Sequence, residues 1–150
     1  SMGCLICERI EMIKNGTNPY FVAELETGYV VIGDHQHFKG YTLFLCKEHT
    51  TELHFLPKEY KLKHLEEMSL VAEAVFNVFK PEKLNYELLG NGDTHLHWHL
   101  FPRITGDTKA KGPVWQMPPE EMYSDRNRPK EEELLYMKQE LKKEIEKLIL

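Results

Sequence analysis

The 150-residue chain contains no long apolar run, few cysteines and no cluster of positive charges. No stretch approaches the roughly 18 consecutive apolar residues of a transmembrane helix, and the N-terminus lacks a signal-peptide pattern. Three cysteines, an odd number, argue against a disulfide framework and favour a reducing cytoplasm. With a formal net charge of −5 and no dense basic run, broad binding to a nucleic acid backbone is not expected.

The composition that remains, 41% hydrophobic and 29% charged, is that of a globular protein with room for one buried core. Apolar and β-branched segments separated by turn residues predict five strands, and helical spacing of apolar residues predicts two long helices. Because the strands cluster on either side of the first helix, we expect an α+β fold with an antiparallel sheet. Strands are predicted over 20–25, 29–32, 41–46, 84–89 and 95–101, and helices from Lys58 to Pro81 and after Arg128-Pro129.

Three histidines at alternating positions, His95, His97 and His99, are the most informative feature. In a strand, alternate side chains share a face, and successive histidines would lie roughly 6.6 Å apart. The run therefore predicts three imidazoles on one face and apolar residues on the other. Two chemistries fit: a metal site, or a nucleophilic histidine that attacks phosphorus while its neighbours stabilise charge. The apolar residues between and after the histidines are Leu96, Trp98 and Leu100.

The run from His95 to Phe101 resembles the signature of the histidine triad (HIT) family, in which histidines alternate with apolar residues. Pro102-Arg103 is similar to the ending found in its dinucleoside polyphosphate branches. Upstream, 31–34 and 40–49 resemble the family's strand-Asp-loop-strand-Lys-x-His segment. The resemblance covers about residues 4–103 and implies a single HIT-like domain over 1–150, with 104–150 as a C-terminal extension. One departure is Tyr41, which replaces a frequent histidine.

The resemblance implies a role for each candidate site residue. His97 would attack the α-phosphorus and carry the nucleotidyl group, and His99 would contact the phosphate. Asp34 would bind the ribose hydroxyls, although an Asx turn explains it equally well from the sequence alone. Asn91 and Thr94 would contact the phosphate or leaving group, Asn91 being also an ordinary turn residue. Trp115 either folds over the substrate or anchors the C-terminal segment.

The pair Cys4 and Cys7 could be a redox pair, could bind zinc, or could have no shared role. A redox pair is expected at the start of a helix in a βαβ unit, whereas this pair precedes any predicted strand. In many bacterial HIT proteins such a pair holds structural zinc with two histidines. The resemblance therefore implies one structural zinc per chain, bound by Cys4, Cys7, His49 and His95. Cys46, inside an apolar strand, reads as a core residue.

The function implied by the resemblance is cleavage at the α-phosphate of a dinucleoside polyphosphate, such as diadenosine tetraphosphate, through a nucleotidyl-histidine intermediate. The alternatives are a nucleoside phosphoramidate hydrolase and a purine nucleotide sensor with slow turnover. A homodimer whose sheets join is also implied. His64, on the first long helix, is expected at the surface or on a face of that helix.

Overall fold

The computed structural model describes residues 3–150 and confirms an α+β fold with an antiparallel sheet. Its five strands lie in the order β1-β2-β3-β5-β4, and each neighbouring pair is antiparallel. β5, which carries the triad, therefore lies inside the sheet between β3 and β4. The strands are β1 (Phe21–Glu24), β2 (Gly28–Ile32), β3 (Thr42–Cys46), β4 (Lys83–Glu87) and β5 (His97–Arg103).

Among residues 3–150, four α-helices accompany the sheet, and both predicted long helices are among them. The first of these ends where Lys80 adopts a left-handed conformation (φ 50°) just before Pro81, which cannot continue a helix. The last begins two residues after Pro129, with three glutamates in its first turn. No helix among residues 3–150 is long and apolar enough to cross a membrane. The helices are α1 (Leu5–Lys14), α2 (Lys58–Phe79), α3 (Pro119–Met122) and α4 (Glu131–Ile149).

The main core lies between one face of the sheet and the two long helices. Trp98 and Leu100 of β5 point into it, beside Val71 and Val75 of α2 and Leu141 of α4. The triad histidines of β5 consequently face the other side of the sheet, where α1 packs through Ile6 and Ile10 on a second apolar cluster. The alternation along β5 thus puts apolar side chains in the main core and histidine side chains on the opposite face of the sheet.

Two sequence predictions need correction, and one helix lies where none was predicted. The triad strand begins at His97, not at position 95, so that His95 and Leu96 precede it and Leu96 packs in a separate cluster with Cys46. Helix α1 was not predicted, because its ten residues carry only two buried side chains. His64 is fully buried instead of lying at the surface.

His64 belongs to a polar network buried beneath the triad strand. The Trp98 indole Nε1 donates to His64 Nε2 at 3.0 Å, and His64 Nδ1 lies 2.8 Å from the Thr27 hydroxyl. The Thr27 hydroxyl donates in turn to Glu67 Oε1, which also accepts from the Thr27 backbone N–H at 2.8 Å. Since the indole only donates, the proton of neutral His64 is on Nδ1. The network ties the turn before β2, helix α2 and β5 together.

Candidate functional site

β5 places the rings of His97 and His99 side by side, with centroids 4.8 Å apart. His97 is 6% exposed, and its Nδ1 lies 2.7 Å from the backbone carbonyl oxygen of His95. Because a carbonyl oxygen only accepts, Nδ1 carries the proton and Nε2 keeps its lone pair. His97 is therefore held in the tautomer that a nucleophilic imidazole needs.

His99 is held from the neighbouring strand. Its Nδ1 lies 2.7 Å from the hydroxyl of Tyr41, immediately before β3. Burial, reinforced by the nearby His97, lowers the pKa of His99 to about 4. At neutral pH His99 is thus an uncharged imidazole, which contributes one hydrogen-bond donor and one acceptor.

A cavity of about 480 Å³ brings His97 and His99 together with Asp34. This volume falls within the range of small-molecule sites. Asp34 Oδ1 lies 2.9 Å from His35 Nδ1, and its other oxygen is 3.7 Å from the Arg128 guanidinium. The lining of the cavity thus combines a carboxylate with two imidazoles. Its apolar lining includes Ile6, Val31, Leu43 and Leu45.

The remaining two candidates for phosphate or leaving-group contact lie outside this cavity. Thr94 lines a smaller cavity of about 170 Å³ that also includes His97. Asn91 is exposed in the turn before Thr94 and lines neither cavity. The structure therefore places Thr94 beside the candidate nucleophile, and the predicted role of Asn91 stays a prediction.

Several polar residues of the cavity were not anticipated from the sequence, among them one from α1 and two from near α4. Arg9 comes from α1, and Tyr123 and Arg128 come from the segment between α3 and α4. That segment is fixed to the sheet side by a hydrogen bond from the buried Gln36 N–H to the Asn127 carbonyl. No local pattern marks these residues, because the tertiary fold alone brings both ends of the chain to one cavity.

Trp115 packs on the triad strand and does not line the cavity. Its ring meets those of His99 and Phe101 edge-on, at centroid distances of 6.0 and 5.9 Å. Its Nε1 donates to Glu87 Oε1 at 2.7 Å. These contacts favour the anchoring role over contact with the nucleoside.

A second group of side chains converges next to the triad. The ligand atoms of Cys4, Cys7, His49 and His95 all lie within 4.8 Å of one another. His49 Nδ1 and His95 Nδ1 are 3.2 Å apart, and the distances from Cys7 Sγ to these two atoms are 3.2 and 3.5 Å. A regular tetrahedral zinc site with ordinary bond lengths has N···N edges of about 3.3 Å and S···N edges of about 3.6 Å. The residues present fit a tetrahedral metal ion.

The hydrogen bond of His95 supports the same reading. Its Nε2 lies 2.7 Å from the Cys46 carbonyl oxygen and must donate to it, which leaves the Nδ1 lone pair facing the cluster. A partner of this kind commonly orients a metal-binding histidine. The cysteines do begin a helix, since Cys4 caps α1 and accepts from the Cys7 N–H. A thiol pair beside the Nδ1 atoms of two imidazoles nevertheless favours metal over redox chemistry.

Comparisons with known proteins agree with this geometry. The family model for the HIT domain matches residues 19–106, and no curated protein matches the chain. A histidine triad protein from Marinobacter aquaeolei is 26% identical, with a TM-score of 0.73 over 85% of this chain and 89% of its own. A hypothetical histidine triad nucleotide-binding protein from Sulfolobus tokodaii is 20% identical, with a TM-score of 0.70 over 95% and 93%.

A zinc-bound histidine triad family protein from Mycobacterium smegmatis is 20% identical, with a TM-score of 0.66 over 99% of this chain and 96% of its own. At this identity the likeness concerns the fold. The family model covers more than half of the 150 residues, including the triad and the strands around it. The chain belongs to the histidine triad (HIT) family.

Proposed function

We propose that the chain binds a purine nucleotide in the 480 Å³ cavity and cleaves it at the α-phosphate, with His97 as the nucleophile. The observation that carries the proposal is the contact between His97 Nδ1 and the His95 carbonyl, which in the neutral imidazole puts the hydrogen on Nδ1 and the lone pair on Nε2, beside a nucleotide-sized cavity. The name of the Sulfolobus relative, a nucleotide-binding protein, supports the ligand class.

The reaction would proceed in two displacements at phosphorus. In the first, the lone pair of His97 Nε2 forms a bond to the α-phosphorus, and the bond from phosphorus to the leaving group breaks. In the second, water attacks the same phosphorus, loses a proton and releases His97 with its lone pair restored. His99 would donate a hydrogen bond to a phosphate oxygen, and Asp34 would accept hydrogen bonds from the two ribose hydroxyls.

The leading substrate is a dinucleoside polyphosphate such as diadenosine tetraphosphate. Nucleoside phosphoramidates are the close alternative, because the same nucleophile and the same phosphate contacts serve both reactions. Thr94 lines the smaller cavity together with His97, and we propose that its hydroxyl contacts the leaving group. Asn91 would have to move to reach it.

The test compares wild type with His97→Ala on a panel of adenosine polyphosphates and phosphoramidates. We expect turnover to fall by about 10³-fold or more, while nucleotide affinity changes little. Mass spectrometry of the quenched wild-type reaction should find the nucleotidyl adduct on His97. Unchanged product formation in the variant would exclude the covalent mechanism. Binding without turnover in the wild type would favour a sensor.

We further propose that Cys4, Cys7, His49 and His95 bind one structural zinc ion. When bound, zinc would supply folding free energy and attach α1 to the sheet next to β5. Elemental analysis of protein purified without added metal should give one zinc per chain. Cys7→Ser should lose the metal and lower the melting temperature, whereas Cys46→Ser, in the apolar core, should keep the metal. Absence of stoichiometric zinc in wild type counts against the site.

A metal held by the triad itself is the rival explanation of the histidines. Chelation separates the two cases. Immediate loss of turnover with the fold intact would favour a catalytic metal, whereas a structural zinc predicts loss of thermal stability first. The contacts of His97 Nδ1 and His99 Nδ1 leave Nε2 of each ring for either role, so the chelation result decides between the two cases.

A homodimer whose sheets join is the proposed assembly. β4 is an outer strand, and a groove of about 1010 Å³ runs between it and the loop 104–113, away from the triad rings. Two apolar side chains here are about half exposed: Tyr86 of β4 at 51% and Leu89, just after β4, at 52%. Light scattering should give the mass of a dimer, and Tyr86→Asp should shift it towards a monomer. The exposed Tyr136 of α4 provides the control, Tyr136→Asp, and a monomeric wild type would contradict the assembly.

A further inference from the structure

The ring of Tyr41 is fixed independently of the triad. It stacks on Phe101 with centroids 4.0 Å apart and an interplanar angle of 12°. Gly33 lies so close that a Cβ atom there would come within 2.2 Å of the Tyr41 ring. The backbone of Tyr41 is held as well, because its carbonyl oxygen accepts from the Gly33 N–H and from the Gln36 side chain, both at 2.9 Å. The hydroxyl therefore occupies a defined position.

That position is 2.7 Å from His99 Nδ1. His99 is the member of the triad that the proposed function assigns to the phosphate. Among the described residues, the hydrogen-bond partner found for His99 Nδ1 is the phenol of Tyr41. His97 Nδ1 is instead fixed by a backbone carbonyl. The two rings lie nearly parallel, at 16°, with centroids 6.0 Å apart.

We propose that Tyr41 is a positioning residue that selects the tautomer of His99: its hydroxyl donates to Nδ1, so that the imidazole carries its hydrogen on Nε2 and offers it to the substrate phosphate. The catalytic part of this inference rests on the proposed function. The tautomer rests on the contact between the Tyr41 hydroxyl and His99 Nδ1 together with the donor that a phosphate oxygen requires. A phenol can also accept, and the two arrangements differ in which nitrogen of His99 is protonated.

The chemistry of the two groups favours donation by the phenol. Burial raises the pKa of Tyr41 well above its ordinary value, and nearby acidic groups including Asp34 act in the same direction. The hydroxyl therefore keeps its proton. His99, neutral at physiological pH, has one nitrogen that must accept and one that must donate. A phosphate oxygen accepts hydrogen bonds, so the productive arrangement places the hydrogen of His99 on Nε2.

The direct test is the tautomer, measured in the substrate-free protein. Long-range proton–nitrogen NMR of uniformly ¹⁵N-labelled wild type should show His99 protonated on Nε2 and unprotonated on Nδ1. In Tyr41→Phe, which keeps the ring but loses the hydroxyl, His99 should become a mixture or switch to the Nδ1–H form. Tyr136→Phe, at an exposed position of α4, is the matched control and should leave the spectrum of His99 unchanged. An Nδ1–H tautomer in wild type, or an unchanged tautomer in Tyr41→Phe, overturns the inference.

The kinetic test uses diadenosine tetraphosphate and the same variants. We expect kcat of Tyr41→Phe to fall about tenfold or more with KM within about threefold, because the lost interaction is with the developing charge and not with the nucleoside. A tautomer switch without a change in kcat would overturn the catalytic part. If wild type has no turnover, the proposed function fails while the NMR result still decides the tautomer. If His97→Ala abolishes turnover and Tyr41→Phe changes neither measurement, only the present inference fails.

Discussion

Each triad histidine has a different partner, and the partners explain why equivalent side chains would act differently. His95 uses its side chain towards the cysteine cluster and its backbone carbonyl towards His97. His99 faces a phenol. The alternating pattern predicted that all three histidines share a face of one strand; the rings of His97 and His99 do meet, whereas His95 precedes β5 and directs its ring to the cysteine cluster. A strand period cannot reveal that the strand starts two residues later.

The first prediction at this scale concerns Asp34. Asp34→Asn removes the charge while keeping the shape, and it weakens the hydrogen bonds proposed to the ribose hydroxyls. We expect KM for diadenosine tetraphosphate to rise about tenfold with kcat within about threefold, as for an interaction present in both ground and transition states. Asp125→Asn is the control, because Asp125 also contacts Arg128 but lies outside the cavity lining. Equal kinetics for Asp34→Asn and wild type would argue against ribose binding.

At the scale of elements, the succession of strands along the chain and the two long helices followed from periodicity, whereas the buried network of α2 did not. His64 and Glu67 lie at helical spacing from Val71 and Val75, so their places on the buried face could have been inferred from that spacing. Their polar side chains indicated an exposed face instead. The groups that satisfy these side chains in the core are distant in sequence and could not be inferred. Glu67 accepts from Glu26 and Thr27, about 40 positions away.

We expect Glu67→Ala to lower the free energy of unfolding by about 2–4 kcal/mol, because it leaves the Glu26 and Thr27 N–H groups without their acceptor. Glu66→Ala provides the matched control on the same helix, since the Glu66 side chain is 73% exposed. It should change stability by less than about 0.5 kcal/mol. Urea unfolding measures both variants, and similar losses for the two would show that the network contributes little.

For the whole molecule, buried neutral histidines make stability depend on pH. Burial lowers the pKa of His64 to about 4, below the 6.5 of an exposed imidazole. Between these values the unfolded chain binds the proton and the folded chain does not, so stability falls as pH drops from about 6.5 to about 4. His64 alone accounts for at most about 3 kcal/mol of this loss.

The measurement is urea unfolding at pH 7 and pH 5. His64→Asn, whose amide can still accept from Trp98, should reduce the difference between the two pH values, because it removes one titrating group. His54→Asn is the control, since His54 is exposed and should leave the difference as in wild type. Comparing variants cancels the pH dependence of the proposed metal site, which they share. The same difference in all three proteins would contradict the role assigned to His64.

Family membership, fold class and the four metal-ligand candidates were all accessible from sequence motifs. The cavity was less so, because its walls come from segments far apart in the chain: α1 near one end and the residues before α4 near the other. Short-range patterns report burial and turns. They do not report which distant loops meet.

The burial of Cys46 has a practical consequence for assaying the metal site. Its thiol is fully buried, and burial raises its pKa to about 11, so at mildly alkaline pH it is both shielded and protonated. Cys4 and Cys7 are only partly buried. Alkylation of the native protein by iodoacetamide should therefore label up to two cysteines in metal-stripped protein and none in loaded protein, which turns a mass spectrum into a gauge of occupancy.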